Sequence, residues 1–231
     1  MDIIKDIAEI NRRLSFDLWN MTSSSKEPRG LSSRLVLPTT DDKIRVSEQE
    51  ARVLYTSILN SSNYFYSIET PTEKLYSQKG SFSRRALSDL SLYAYKGENG
   101  LEKVANVEFK ALNPDVSQIS KDIEKLVGEG IDGNWFHFLK NIDSGTLPSL
   151  FNKFIDSLEM INPADITKPI SIYFCFCVLD KKWACAKHYF YDPKQGMSLS
   201  DYNRDFFHLG YTISVSQVRV DEKNEWNILM I

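Results

Sequence analysis

Residues 103 to 112, Lys-Val-Ala-Asn-Val-Glu-Phe-Lys-Ala-Leu, constrain the fold more than any other stretch of the chain. Read as a strand, they send Val107, Phe109 and Ala111 to one face and Glu108 and Lys110 to the other. So apolar a strand is expected to be buried on one side, and charges set within it need a reason. A second run, Ala86 to Tyr95, precedes it, joined by Lys96-Gly97-Glu98-Asn99-Gly100. Asn-Gly is the strongest short hairpin signal, so the two runs are expected to pair antiparallel with Asp89 on the partner strand. A turn centred between Glu98 and Asn99 sets Asp89 opposite Glu108. A two-residue Asn99-Gly100 turn sets it opposite Lys110, diagonal to Glu108. Both registers gather Asp89, Glu108 and Lys110 on one face, and a slip of one residue would remove Asp89 from it.

Around this hairpin the pattern alternates between helix and sheet. Ile3, Ile7, Ile10, Leu14 and Leu18 recur at helical spacing over residues 2 to 20, which predicts an amphipathic helix that packs on the domain or on a second subunit. Thr22 to Asp42, rich in Ser, Thr and Pro, reads as a linker or arm. Ser47 with Glu50 three residues on forms a capping box that opens a helix to about Asn60. Strands are expected at Tyr64 to Ile68 and Lys74 to Ser77, a helix from Val116 to about Glu129, a short helix opening at Trp135 to Leu139, and a helix from Leu147 to Ile161. Strands at Ile170 to Leu179, Lys182 to Tyr191, Tyr211 to Val220 and Glu225 to Ile231 complete the chain. The sum is an α/β fold, a central mixed sheet flanked by helices with an N-terminal helical extension. Residues 1–45 would form the helix and arm, and residues 46–231 the domain proper.

Two carboxylates and a lysine on one sheet face suit a hard cation. Mg²⁺ takes oxygen ligands, often one or two carboxylates completed by waters and substrate phosphates. Such an ion activates water and polarises a phosphate, while a lysine beside it positions the nucleophile and offsets developing charge. The competing reading makes Glu108 and Lys110 a solvated pair on an edge strand. A net charge of −3 excludes a protein that coats nucleic acid by bulk electrostatics, so any such contact needs a local basic face. Arg84 and Arg85, just ahead of Asp89, are candidates for backbone phosphates. Cys175, Cys177 and Cys185 are an odd set with no zinc spacing, which fits small buried residues in a reducing compartment. His137, His188 and His208 show no metal spacing and read as structural. Neither a signal peptide nor a membrane span is legible, so a cytoplasmic protein is expected.

Asp89 within Ala86-Leu87-Ser88-Asp89-Leu90, together with Val107-Glu108-Phe109-Lys110-Ala111, resembles the PD-(D/E)xK nuclease superfamily, the restriction-endonuclease-like fold. The preceding helix segment Ser47-Glu48-Gln49-Glu50-Ala51-Arg52 and the helix after the lysine strand match in order. The resemblance covers about residues 46 to 180. Ser88 departs from it by standing where the motif has proline. It implies that Asp89 and Glu108 bind Mg²⁺ or Mn²⁺, with the Phe109 carbonyl near the metal and Lys110 the catalytic lysine. Glu50 would be the helix carboxylate, also a metal ligand and catalytic, with Glu48 as runner-up. Gln118, Lys121 and Lys125 lie on the following helix, where related nucleases place a Gln or Lys near the metal or phosphate; a solvated helix face is the competing reading, and Lys121 joins Arg84 and Arg85 as a nucleic-acid contact. The implied function is a metal-dependent nuclease acting on DNA. The alternative is a catalytically inactive binding or assembly module of the same fold, with the first helix as partner contact and a homodimer among the arrangements.

Overall fold

The computed structural model describes residues 2–23, 35–77, 83–143, 145–207 and 226–230. The chain opens with helix α1 (Ile3–Trp19), short strands β1 (Thr22–Ser23), β2 (Val36–Leu37), β3 (Thr39–Thr40) and β4 (Lys43–Ile44), and helix α2 (Glu48–Leu59). Long strands β5 (Phe65–Ser77), β6 (Ser83–Tyr95) and β7 (Leu101–Ala111) follow, then α3 (Val116–Gly128), β8 (Asp132–Leu139) and α4 (Thr146–Glu159). Strands β9 (Ile170–Val178) and β10 (Trp183–Tyr191), helix α5 (Leu199–Phe206) and strand β11 (Asn227–Met230) end the fold. The last seven strands form one sheet in the order β11-β10-β9-β8-β7-β6-β5. Within this sheet the described β7–β8 and β8–β9 pairs are parallel and the others antiparallel, and α3 and α4 make these two crossovers. The expected central mixed sheet flanked by helices is therefore present.

Alternation along the central strands splits the interior into two cores. Val107, Phe109, Phe136, Phe138, Cys175 and Cys177 pack against α1 and α2. Trp135, Ile172, Phe174, Phe176 and Cys185 pack against α3, α4 and α5. The result is a three-layer arrangement of helices, sheet and helices. All three cysteines are buried free thiols, packed as the small core residues expected of them. His137 is fully buried, its ring bonded to the Leu112 carbonyl, and burial pushes its pKa down to about 4. That is a neutral structural histidine.

Helix α1 packs as part of the first core rather than standing apart. Its Asn11 exchanges amide hydrogen bonds with Asn134 of β8 (2.8 and 3.1 Å), and Trp19 Nε1 donates to the Val178 carbonyl (3.0 Å). Both asparagines are fully buried, so each holds the other's desolvation in check. Asn134→Leu is expected to cost about 1–3 kcal/mol by leaving Asn11 unsatisfied. Chemical denaturation would test this, and an unchanged midpoint would mean that the amide pair does not anchor the helix.

Three expectations are corrected. Residues 135 to 139 belong to β8, not to a helix; this strand is buried on both faces, so its apolar run is continuous and carries no period. The strands expected at 64–68 and 74–77 are one strand, β5, interrupted by a bulge between Pro71 and Leu75. Helix α5, capped by Ser198, was not anticipated from the sequence. The strand expected at 211–220 and His208 lie outside the described residues.

Candidate active site

The register of the β6–β7 hairpin decides whether the predicted site exists. Its turn is neither of the two anticipated. Gly97–Asn99 forms a 3₁₀ turn with Gly97 and Gly100 at positive φ, and Tyr95 pairs with Leu101. Continued unchanged, that register would carry Asp89 to the wrong face. A bulge intervenes: Tyr93 pairs with Lys103 but Leu92 with Ala105, so Val104 is an extra residue. The ladder then runs through Leu90 opposite Val107. Extended one residue further, it sets Asp89 against Glu108, the first of the two predicted juxtapositions.

The two strands stop pairing at this point, and Asp89 fills the gap. Its Oδ2 accepts from the Phe109 N–H (2.8 Å), and its Oδ1 accepts from Arg52 of α2 (2.7 Å). Glu108 and Lys110 point to the α3 side, because Val107 and Phe109 occupy the opposite core. Strand β7 is central, not an edge, and Glu108 is 0% exposed. The solvated-pair reading therefore fails for Glu108.

Helix α3 supplies what the strands lack. Lys125 Nζ donates to Glu108 Oε2 (2.6 Å) and to the Leu87 carbonyl (2.9 Å), and lies 2.8 Å from Asp122 Oδ1. Lys110 Nζ lies 2.7 Å from Asp122 Oδ2 and 3.8 Å from Glu48 Oε2. Arg52, Lys110 and Lys125 thus face Asp89, Glu108, Asp122 and Glu48. The second oxygen of Glu108, Oε1, is buried without a hydrogen-bond partner.

These environments shift the titrations in opposite senses. Burial pushes the Glu108 carboxyl well above the ordinary range; Lys125 opposes this, while Asp122 and Asp89 add to it. Burial also works to lower Lys125, but Glu108 and Asp122 outweigh it and its pKa is raised. Glu108 and Asp122 together keep Lys125 charged, while the dry surroundings make Glu108 hard to ionise. Lys110 behaves like Lys125, with burial overcome chiefly by Asp122. Its amine is therefore an ammonium at neutral pH.

Of the predicted residues, Asp89, Glu108 and Lys110 come together. Glu50 does not join them. Its Oε2 accepts from both the N–H and the hydroxyl of Ser47, which is the capping box itself, and Glu48 is the α2 carboxylate nearest Lys110. Lys121 and Gln118 are exposed, and Gln118 caps α3 through the Asp115 N–H. Arg84 is exposed; Arg85 binds the Thr72 carbonyl and lies 3.8 Å from Glu73. Asp122, Lys125 and Arg52 were missed or read as solvated. Their signal was present on α3, where Asp122 and Lys125 interrupt the buried stripe of Ile119, Ile123 and Leu126.

Among the described residues no three His, Cys, Asp or Glu side chains gather as a metal cage. Surface clefts of about 730 and 440 Å³ lie elsewhere, the first between the ends of α3 and α4 and the second beside the start of β8; Asp89, Glu108 and Lys110 line neither. Comparison with family models, curated proteins and solved structures finds no match to this chain.

Proposed function

We propose that the chain is a metal-dependent nuclease hydrolysing phosphodiester bonds, with DNA as its substrate. The observation that carries the reading is the meeting of Asp89 and Glu108 at the point where β6 and β7 part, with Lys110 on the same side. Supporting it is the order helix α2, strands β5–β7, helix α3, strand β8, which is the sequence of elements in a restriction-endonuclease-like core.

The donor set fits Mg²⁺ or Mn²⁺ in kind: carboxylate oxygens, one of them the unpartnered Oε1 of Glu108, with no sulfur or imidazole among the clustered groups. Asp89 and Glu108 would hold the ion, which supplies an activated water and neutralises phosphate charge. Lys110, held as an ammonium by Asp122, cannot act as a base. It serves as a fixed positive charge that orients the attacking water and offsets the charge growing on the phosphate. Arg52 fixes one oxygen of Asp89 and leaves its geometry preset.

A second reading, a catalytically silent binding or assembly module of the same fold, is favoured by one observation. The site carboxylates already have cations of this chain beside them, Arg52 at Asp89 and Lys125 at Glu108. Cleavage of a DNA panel in Mg²⁺ or Mn²⁺ separates the two. The nuclease reading expects metal-dependent cleavage that falls about 100-fold or more in Asp89→Ala and in Lys110→Ala. Glu50→Gln should retain activity, since Glu50 serves the α2 cap. Full activity in both Asp89→Ala and Lys110→Ala would sink the reading, and no cleavage by the wild-type chain would favour the silent module.

A further inference from the structure

We infer that Lys125 is a built-in counter-ion that occupies the acidic centre of the site, so that a divalent cation binds Glu108 only by displacing the Lys125 ammonium. The inference deepens the reading of Asp89 and Glu108 as cation ligands, and adds what must happen before they act as such.

The Lys125 ammonium is held as a cation is held. Three oxygens from three elements surround it: Glu108 Oε2 on β7 at 2.6 Å, Asp122 Oδ1 on α3 at 2.8 Å and the Leu87 carbonyl on β6 at 2.9 Å. An ammonium has three protons, and this cage offers one acceptor for each. An ordinary surface lysine needs no such arrangement, and this side chain is only 10% exposed. Glu108 meanwhile keeps Oε1 unpartnered in a residue shut off from solvent. A fully buried carboxylate with one oxygen on an ammonium and the other on nothing is an incomplete ligand set. A divalent ion at Oε1 would stand close to the Lys125 charge, and the two cations repel. Lys125 carries a long flexible stem from α3 and can withdraw, whereas Glu108 is fixed in a central strand. Asp122 gives the departing ammonium a continuing partner, because it lies on the same helix three residues away.

Binding of Mn²⁺ alone, followed by electron paramagnetic resonance on metal-stripped protein, tests the inference without reference to activity. Lys125→Gln is expected to bind Mn²⁺ roughly tenfold or more tighter than wild type, because no charge-assisted hydrogen bond has to be broken first. Adding Glu108→Gln to that variant should abolish the gain. Equal or weaker binding by folded Lys125→Gln would overturn it. Should Lys125→Gln fail to fold, wild type carries the test through its ¹⁵N-labelled lysine ammonium resonances. Caged from solvent, the Lys125 signal should be visible and should lose its protection on saturation with Mg²⁺. A Lys125 signal that Mg²⁺ leaves unchanged overturns the inference. Failure here is separable from failure of the nuclease reading: wild type that cleaves DNA while Lys125→Gln gains no affinity loses only the counter-ion. Tighter Mn²⁺ binding without cleavage by any form loses only the nuclease.

Discussion

Glu129→Ala is expected to lower the free energy of unfolding by about 3 kcal/mol, because it breaks a buried ion pair that also holds two strands to a helix. The Glu129 side chain is fully buried, and Lys103 of β7 donates to its Oε2 at 2.7 Å. The backbone N–H groups of Glu73 and Lys74, at the bulge of β5, donate to the same carboxylate at 2.9 to 3.3 Å. Glu129 follows α3 directly, so one side chain ties the end of that helix to the two strands flanking β6. Alanine leaves the Lys103 ammonium and both N–H groups without their acceptor. A loss of that size is a large share of the roughly 5–15 kcal/mol that holds a domain folded. Denaturant titration measures it, and a change under 1 kcal/mol would mean that the staple is dispensable.

The same group makes a pH prediction. Burial acts to raise the Glu129 carboxyl, but Lys103 and the two backbone donors outweigh it, and its pKa lies below the ordinary 4.5. A carboxylate with a depressed folded pKa stabilises the fold above its unfolded pKa and loses that contribution as pH falls through the folded value. The gap in stability between wild type and Glu129→Gln should therefore be constant near neutrality and shrink below pH 4.5. A gap that stays the same down to pH 3 would show that Glu129 acts through packing instead.

Much of the site was legible because strand parity is binary. Glu108 and Lys110 share a face whatever the rest of the chain does, and only Asp89 depended on the turn. The turn was read wrongly and the face came out right, because Val104 adds the residue that restores parity. Nothing local marks Val104 as a bulge. It is demanded by pairing across the hairpin, where Leu90 and Val107 must both meet the same core. The β8 strand was misread for a related reason: a central parallel strand is covered on both faces, so Trp135 to Leu139 has no alternation to read. Glu50 was assigned twice from sequence, as cap and as ligand, and the cap took it. The basic partners of the site were hardest to see. Arg52 reaches Asp89 from a residue 37 positions earlier, and Lys125 reaches Glu108 from 17 positions later. Contacts at such separation are set by how two helices dock on a sheet, which no single-segment pattern records.

Lys125→Met is expected to destabilise the protein by about 3–5 kcal/mol, while the double variant Lys125→Met/Glu108→Leu recovers most of that loss. The single change removes the cation from a dry site and leaves Glu108 and Asp122 facing each other without it. The double change removes the buried carboxylate as well, together with its unpartnered Oε1, and leaves two apolar side chains of fitting size. Asp122 keeps Lys110 at 2.7 Å in both variants, so it is not stranded. Denaturation of wild type, both single variants and the double variant closes a mutant cycle, and the coupling energy should be large and of the sign that marks attraction. Additive losses would mean that Lys125 and Glu108 act independently. Recovery in the double variant would carry a further meaning. A pair that apolar residues replace without loss is not kept for stability, since desolvating two charges cancels most of their attraction. Its presence in the middle of β7, where Val107 and Phe109 show how well apolar residues fit, then points to a use for a charged Glu108. Holding the cation proposed above would be such a use.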